Sequence, residues 1–277
     1  MTAGVNRAIV ELHRAGALTS ATLMARAGAT DEAIGIARST PTLGVGCHVV
    51  LVDGEPALPA RDLPTLVDKR TGRFHSTLGA FLQRSLAGRI RAEEIEAEAT
   101  AQIESLRSRG VALSHIDTHK HTNMFPAVLR PVLRAARKAG IRAVRNPFEP
   151  EWSLRATPRA PWLRRAQVRL LRRFEPAFRR VVAEEGFATT DGAIGVLATG
   201  TLDAEAIASF LRAMPPGTWE LVTHPGYNDA GLERVSTRLR ASRQTELEAL
   251  RCTESFASIE RISFASLNAV QSAAPAK

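Results

Sequence analysis

The 277-residue sequence holds only two cysteines, Cys47 and Cys252, too few and too far apart for a disulfide framework or a cysteine-based zinc site. Reduced thiols are the expectation. No apolar run reaches the roughly 18 residues that a membrane span requires, and Met1 does not open a charged head followed by an apolar stretch of the signal-peptide kind. A cytoplasmic location is therefore expected. No Gly-rich phosphate loop of the Rossmann or P-loop type stands where a strand meets a helix, which moves nucleotide binding down in rank. There is no repeat of fixed period, and no low-complexity tract besides the Ala-rich tail 273–277, expected to be frayed. With 44% hydrophobic and 23% charged residues, the composition excludes collagenous, coiled-coil and wholly disordered chains.

Charge is present in excess of one sign. Lysine and arginine number 37 against 28 acidic residues, a formal net charge of +9. The excess is local: Arg155, Arg159, Arg164, Arg165, Arg169, Arg172, Arg173, Arg179 and Arg180 face the single acid Glu175 within that stretch. Such a surface suits anionic lipid, nucleic acid or plain solubility, and does not choose among them.

Apolar periodicity alternates between helical and extended patterns along the chain. Val5, Ile9 and Leu12 mark a helix; Leu18 to Met24, Gly44 to Leu51 and Val111 to Thr118 read as strands; Ile95, Ala99, Ile103 and Leu106 trace a long helix. Later come a helix at Leu129–Ala139, a short strand at Arg142–Arg145, a basic helix at about 160–184, and an extended stretch at Gly192–Leu197. A helix at Ala204–Met214, a strand at Trp219–Thr223, a helix at Ser236–Leu250 and a strand at Ile262–Phe264 finish the series. Strand followed by helix, repeated, predicts an α/β fold with a parallel sheet. At this length a single (β/α) barrel over residues 1–272 is favoured over an open doubly wound sheet. Residues 54–88, punctuated by Pro56, Pro59, Pro64, Gly72 and Gly79, read as a long loop or lid. The sequence enters a helix almost at once, so a barrel of this cadence is expected to lack its first strand.

The histidines concentrate the chemistry. In SHIDTHKHTNM, His115, Asp117, His119 and His121 share one parity, so an extended strand would turn all of them to one face at its C-terminal end, where barrel enzymes carry their sites. Imidazole with carboxylate suits a divalent metal. A surface or packing role is the ordinary reading of any one histidine, but burying the whole cluster without work for it is costly. His48 ends another apolar run, with Cys47 facing the opposite way as packing. His224 follows a strand and precedes a Pro-Gly turn, a good place for a general acid or base and equally for a solvent-exposed turn histidine.

Taken in order, GVNRAIVELHRAGALTSATLMA, LGVGCHVVL, the Glu98/Gln102 helix, SHIDTHKH, AVRNP, DGAIGV, ELVTHPG and SRQTELEAL resemble the YdjC-like (ChbG/HpnK) carbohydrate deacetylase family over nearly the whole chain. The resemblance implies a (β/α) barrel of the polysaccharide-deacetylase type that hydrolyses the N-acetyl group of an amino sugar with a divalent metal, usually magnesium, with zinc as the other choice. By position it implies that His48 and His119 bind the metal and that His224 and Asp117 serve catalysis. His121 falls in the same motif and Arg145 ends another strand; both are expected at the substrate.

Members of that family open with a strand ending in a motif like ADDFG, and here Met1 directly precedes TAGVNRAI. The family's aspartate pair is thus expected to be missing, the true reading frame to start upstream, and the 277-residue product to be weakly active or inactive until that segment is restored. One branch of the family is associated with hopanoid lipid biosynthesis, so a glycolipid bearing N-acetylglucosamine joins free carbohydrate as an expected substrate. Apolar residues interleaved with arginine around Trp162–Phe178 suit peripheral contact with the inner membrane face. A homodimer is compatible with the sequence, and no nucleic acid partner is expected. Two other readings stand beside this one. One is an inactive barrel that binds lipid or nucleic acid through its arginines. The other is a two-metal amidohydrolase, although that class places its paired histidines at the first strand.

Overall fold

A computed structural model describes residues 1–251, 256 and 259–267. The tail 273–277 and Cys252 lie outside the described residues. The chain opens with α1 (Ala3–Arg14), whose first turn is capped by the Thr2 hydroxyl accepting from the Val5 N–H. A cap of this kind contributes about 1 kcal/mol. Then come β1 (Ser20–Leu23), α2 (Thr30–Ser39), β2 (Gly44–Val49), α3 (Leu78–Leu86), α4 (Ala92–Arg107), β3 (Leu113–Thr118) and α5 (Pro126–Lys138). The second half carries α6 (Glu151–Ala156), α7 (Trp162–Leu171), α8 (Glu175–Glu184), β4 (Gly192–Ile194), α9 (Ala204–Ala213), β5 (Trp219–Leu221), α10 (Ala230–Glu233) and α11 (Arg240–Arg251).

The strands pair in parallel, as helical crossovers require, in two sheets of order β1-β2-β3 and β4-β5. Isolated parallel bridges Ile116–Val144 and Ala143–Ala188 lead from β3 toward the second sheet. A barrel is not shown: among the described residues β1 and β5 each keep an edge without a strand partner. Between those edges lies a cleft of about 750 Å3, lined by Leu18, Ala21, Leu43, Phe210, Leu221 and Leu250 among others, with His48, Arg145 and His224.

Several expectations shift. Ile262–Phe264 forms no strand, and Arg142–Arg145 contributes only bridges. Residues 54–88 are more than a loop, because they contain α3 and deliver Leu63, Leu66, Val67, Phe74 and Phe81 to the main core. Buried carboxylates hold this segment down. Glu98 accepts from the Ala57 and Leu58 N–H groups, Glu94 accepts from those of Thr65 and Leu66, and Gln102 both donates to and accepts from the Val50 backbone. The basic helix is broken after Leu171 by a tight turn at Arg172–Phe174, and α8 begins with proline at its first turn, a position that suits proline but would break a helix interior.

Candidate active site

The site grows from β2 and β3, which pair His48 with Asp117 in register. β2 is apolar but for His48 near its C-terminal end, and Asp117 stands at the matching position of β3, so pairing brings those two side chains together. His48 Nδ1 donates to Asp117 Oδ1 at 2.8 Å, and Thr22 Oγ1 of β1 stands 3.5 Å from Asp117 Oδ2. Asp117 is almost fully buried, and its second oxygen accepts from Arg145 Nη1. Arg145 in turn reaches Glu220 of β5 at 2.6 Å, so one guanidinium joins the two sheets. Burial alone would raise the Asp117 pKa, but the neighbouring His48, which donates to it, and the Arg145 guanidinium more than offset it and hold the carboxyl well below its usual range. Burial opposes the Arg145 charge, yet Glu220 and Asp117 raise its pKa. Burial lifts Glu220, against the pull of Arg145.

The shared parity expected for the SHIDTHKH stretch holds only to Thr118, where β3 ends. From His119 to Met124 the chain makes a 3-10 turn in which Lys120 (φ 55°) and His121 (φ 53°) adopt the left-handed conformation. Such backbone costs roughly 1–2 kcal/mol per residue, so the surroundings must impose it. Thr118 Oγ1 donates to Asn123 Oδ1 and accepts from the Asn123 N–H, Asn123 Nδ2 donates to the Arg145 carbonyl, and Lys120 Nζ pairs with Asp53 at 2.7 Å. That turn, rather than strand alternation, carries His119 to His48: His48 Nε2 and His119 Nδ1 stand 3.3 Å apart. Burial, with His48 and Lys120 adding to it, brings the His119 pKa down to about 4. Burial and Arg145 bring His121 down to about 4.

His115 belongs to a different layer. It is fully buried, stacks on Phe264 with ring centroids 4.1 Å apart, and hydrogen-bonds Ser114. A side-chain carbon at Gly46 would lie 2.6 Å from its ring, so glycine there makes room for the histidine. His115 packs rather than joining the cluster. Cys47 also packs, with its thiol pKa raised by burial.

His224, just past β5, lines the cleft. Burial lowers its pKa to about 3, helped by Arg243, Arg145, His121 and His48, so at neutral pH it rests as neutral imidazole. Helix α11 supports it: Glu246 accepts the His224 N–H, and Arg243 Nη1 donates to the His224 carbonyl at 3.1 Å. Burial raises the Glu246 pKa to about 7 against the pull of the His224 amide, Arg243 and the Gly200 amide. Sequence reasoning missed Thr22, Glu220 and Glu246 as parts of the site. Glu220 and Glu246 left a signal, since a carboxylate inside an apolar strand or on the apolar face of a helix needs a buried partner.

A divalent metal can be tested against these atoms. Two nitrogens each about 2.0–2.1 Å from one tetrahedral ion stand roughly 3.4 Å apart, and the His48–His119 pair meets that separation at 3.3 Å. Asp117 fixes the His48 tautomer with Nδ1 protonated, which frees Nε2 for a metal, the usual arrangement behind a ligating histidine. The residues therefore fit two positions of a coordination shell. No group of three or more His, Cys, Asp or Glu able to hold an ion converges among the described residues.

The family described as YdjC-like protein matches residues 1–261 of this sequence. A carbohydrate deacetylase of Brevibacillus brevis is 33% identical over 257 residues, covering 91% of this chain and 87% of that protein. A carbohydrate deacetylase of Thermoanaerobacter pseudethanolicus is 27% identical, covering 90% and 86%. A crystal structure from Enterococcus faecalis V583, assigned to cellobiose-phosphate cleavage, superposes with a TM-score of 0.76 at 25% identity, covering 96% of this chain and 94% of that one.

Proposed function

This chain belongs to the YdjC-like family, and on that premise we propose that it is a hydrolase that removes the N-acetyl group from an amino sugar in a metal-dependent reaction. The observation that carries the reading is the 3.3 Å approach of His48 Nε2 to His119 Nδ1 beside a carboxylate-fixed imidazole. Relatives named carbohydrate deacetylase favour an enzyme over a binding scaffold. His48 and His119 would hold the ion, which when bound polarises the acetyl carbonyl and makes water a nucleophile at neutral pH. Paired imidazoles suit zinc better than magnesium, which prefers oxygen donors.

Hydrolysis places hydroxyl on the acetyl carbon and a proton on the departing amine. His224, neutral at rest, accepts a proton from the attacking water and returns it to the amine nitrogen as the C–N bond breaks. Asp117 is committed to His48 and Arg145 and held ionised, which makes it an orienting group and a weak base. Arg145 is likewise committed to Asp117 and Glu220, so its contact with substrate oxygens is confined to whatever those carboxylates leave free. His121, neutral and near the same charges, fits a hydrogen bond to a sugar hydroxyl. Acetate release from an N-acetylglucosamine oligosaccharide tests the activity. Release that disappears with chelator and returns with Zn2+ supports it, and no release under any metal overturns it.

A second reading concerns where the substrate lies. Helix α7 contributes Trp162, Leu163 and Leu170, 79%, 54% and 55% exposed, and Arg173 in the turn that follows is exposed as well. Arg164 ties α7 to the Val196 and Thr199 carbonyls, in the segment that follows β4. An apolar strip rimmed by arginine suits an anionic lipid surface, and a glycolipid such as hopanoid-linked N-acetylglucosamine would be met there. No helix among the described residues is long and apolar enough to cross a membrane. Flotation with phosphatidylglycerol vesicles, lost in Trp162→Ala, supports this contact. Self-association through the same strip, seen as a dimer that Trp162→Ala dissolves, would replace it.

A further inference from the structure

We propose that Glu246 is a positioning residue for His224, holding the ring in the tautomer protonated at Nδ1 and leaving Nε2 as the atom that carries the proton in the cleft. The inference rests on the reading of His224 as proton carrier. Three backbone ties fix the turn that bears it: the His224 N–H donates to Glu246, the His224 carbonyl accepts from Arg243, and the Gly226 N–H donates to the Arg243 carbonyl at 3.1 Å. All three run to one stretch of α11. With the backbone held on both sides, the ring has only its own torsions to adjust.

The ring is asymmetric in its surroundings. His224 Nδ1 is buried and has no hydrogen-bond partner, while the side chain as a whole keeps 31% exposure along the cleft. Glu246 Oε2 lies 4.0 Å from Nδ1. Arg243, Arg145, His121 and His48 also act on the ring and none of them is a carboxylate, so Glu246 is the carboxylate placed beside a proton on Nδ1. A small ring rotation turns 4.0 Å into a hydrogen bond and relieves a buried unpaired nitrogen, an arrangement that otherwise costs about 1–3 kcal/mol. It also sets up the next step. When Nε2 takes a second proton, the positive ring faces a carboxylate on its far side. Glu246 touches no reacting atom and acts through His224.

The test uses the full chain with 15N-labelled histidine, the His224 signals being assigned by their loss in His224→Gln. The proposal expects the parent at neutral pH to show protonated Nδ1 and unprotonated Nε2 at His224, and Glu246→Leu to shift that population. Glu246→Gln, which keeps a neutral acceptor, is expected to lower kcat by about 10-fold to 100-fold with KM little changed, and Glu246→Asp to recover part of the loss. A parent ring protonated at Nε2 overturns the proposal even if no Glu246 variant folds. So does a folded Glu246→Gln enzyme with unchanged kcat, which would reduce Glu246 to a cap on the His224 amide. The expected tautomer and its shift, with no acetate released by the parent, would uphold the positioning and sink the deacetylase reading alone.

Discussion

His48 and His224 sit on different sheets, and the protein treats the two rings differently. Both nitrogens of His48 are engaged, Nδ1 by the buried Asp117 carboxylate at 2.8 Å and Nε2 against His119 at 3.3 Å. His224 keeps a buried Nδ1 without a partner and an open side toward the cleft, while its backbone is clamped by α11. A ring fixed through Nδ1 keeps one orientation and one tautomer and turns Nε2 toward its neighbour, which is what a ligand needs. A ring fixed through its backbone, with one side open to the cleft, can change its proton there, which is what an acid-base group needs. The contrast assigns different work to residues of the same type.

The sharpest way to break that contrast is to exchange the consequences. His48→Ala is expected to lower acetate release by about 10³-fold, since a metal contributes several kcal/mol and each 1.36 kcal/mol is a factor of ten. Steady-state rates at saturating Zn2+ measure it, and a loss below tenfold would remove His48 from the ligand set. His224→Gln should cost about 10² in kcat while metal uptake stays as in the parent; lost uptake would make His224 a ligand and erase the distinction. Asp117→Asn is expected to cost about 10-fold to 100-fold in metal affinity. It should also lower stability by about 3–5 kcal/mol, because Arg145 loses a buried partner. Chemical denaturation beside a metal titration reads both, and an unchanged midpoint would mean that Glu220 alone satisfies Arg145.

The smallest effect sharpens the comparison from outside it. His115 lies below the site with its pKa brought down to about 3 by burial first and Arg145 second. Between pH 6.5 and about 3 the unfolded chain therefore binds a proton that the folded protein refuses, so the stability linked to this group is complete above pH 6.5 and drains as pH falls. The slope is about 1.4 kcal/mol per pH unit at most. Urea unfolding at pH 7, 6 and 5 should show the parent losing ground against His115→Asn, whereas parallel curves would mean that His115 titrates freely.

Much of this arrangement was legible in the residues. The apolar run ending in His48 announces a strand with a polar tip, and the order of strand and helix announces parallel pairing, as β1-β2-β3 and β4-β5 bear out. What escaped is non-local. Nothing at Lys120 and His121 signals left-handed backbone, because neither is glycine or asparagine; the Thr118–Asn123 clamp and the Lys120–Asp53 pair impose it. The break in the basic helix did have a mark, Pro176, which belongs at a helix start. The apolar run 262–264 reads as a strand by composition, yet pairing depends on a neighbour that composition does not reveal. Closure of a barrel depends in the same way on which edges meet, and β1 and β5 face a cleft instead.

Calorimetric titration of Zn2+ into the full chain, repeated with His48→Ala and His119→Ala, tests the shared ion most directly. Uptake of one ion by the parent that either substitution abolishes is the predicted result. Uptake of equal affinity in all three proteins would contradict it.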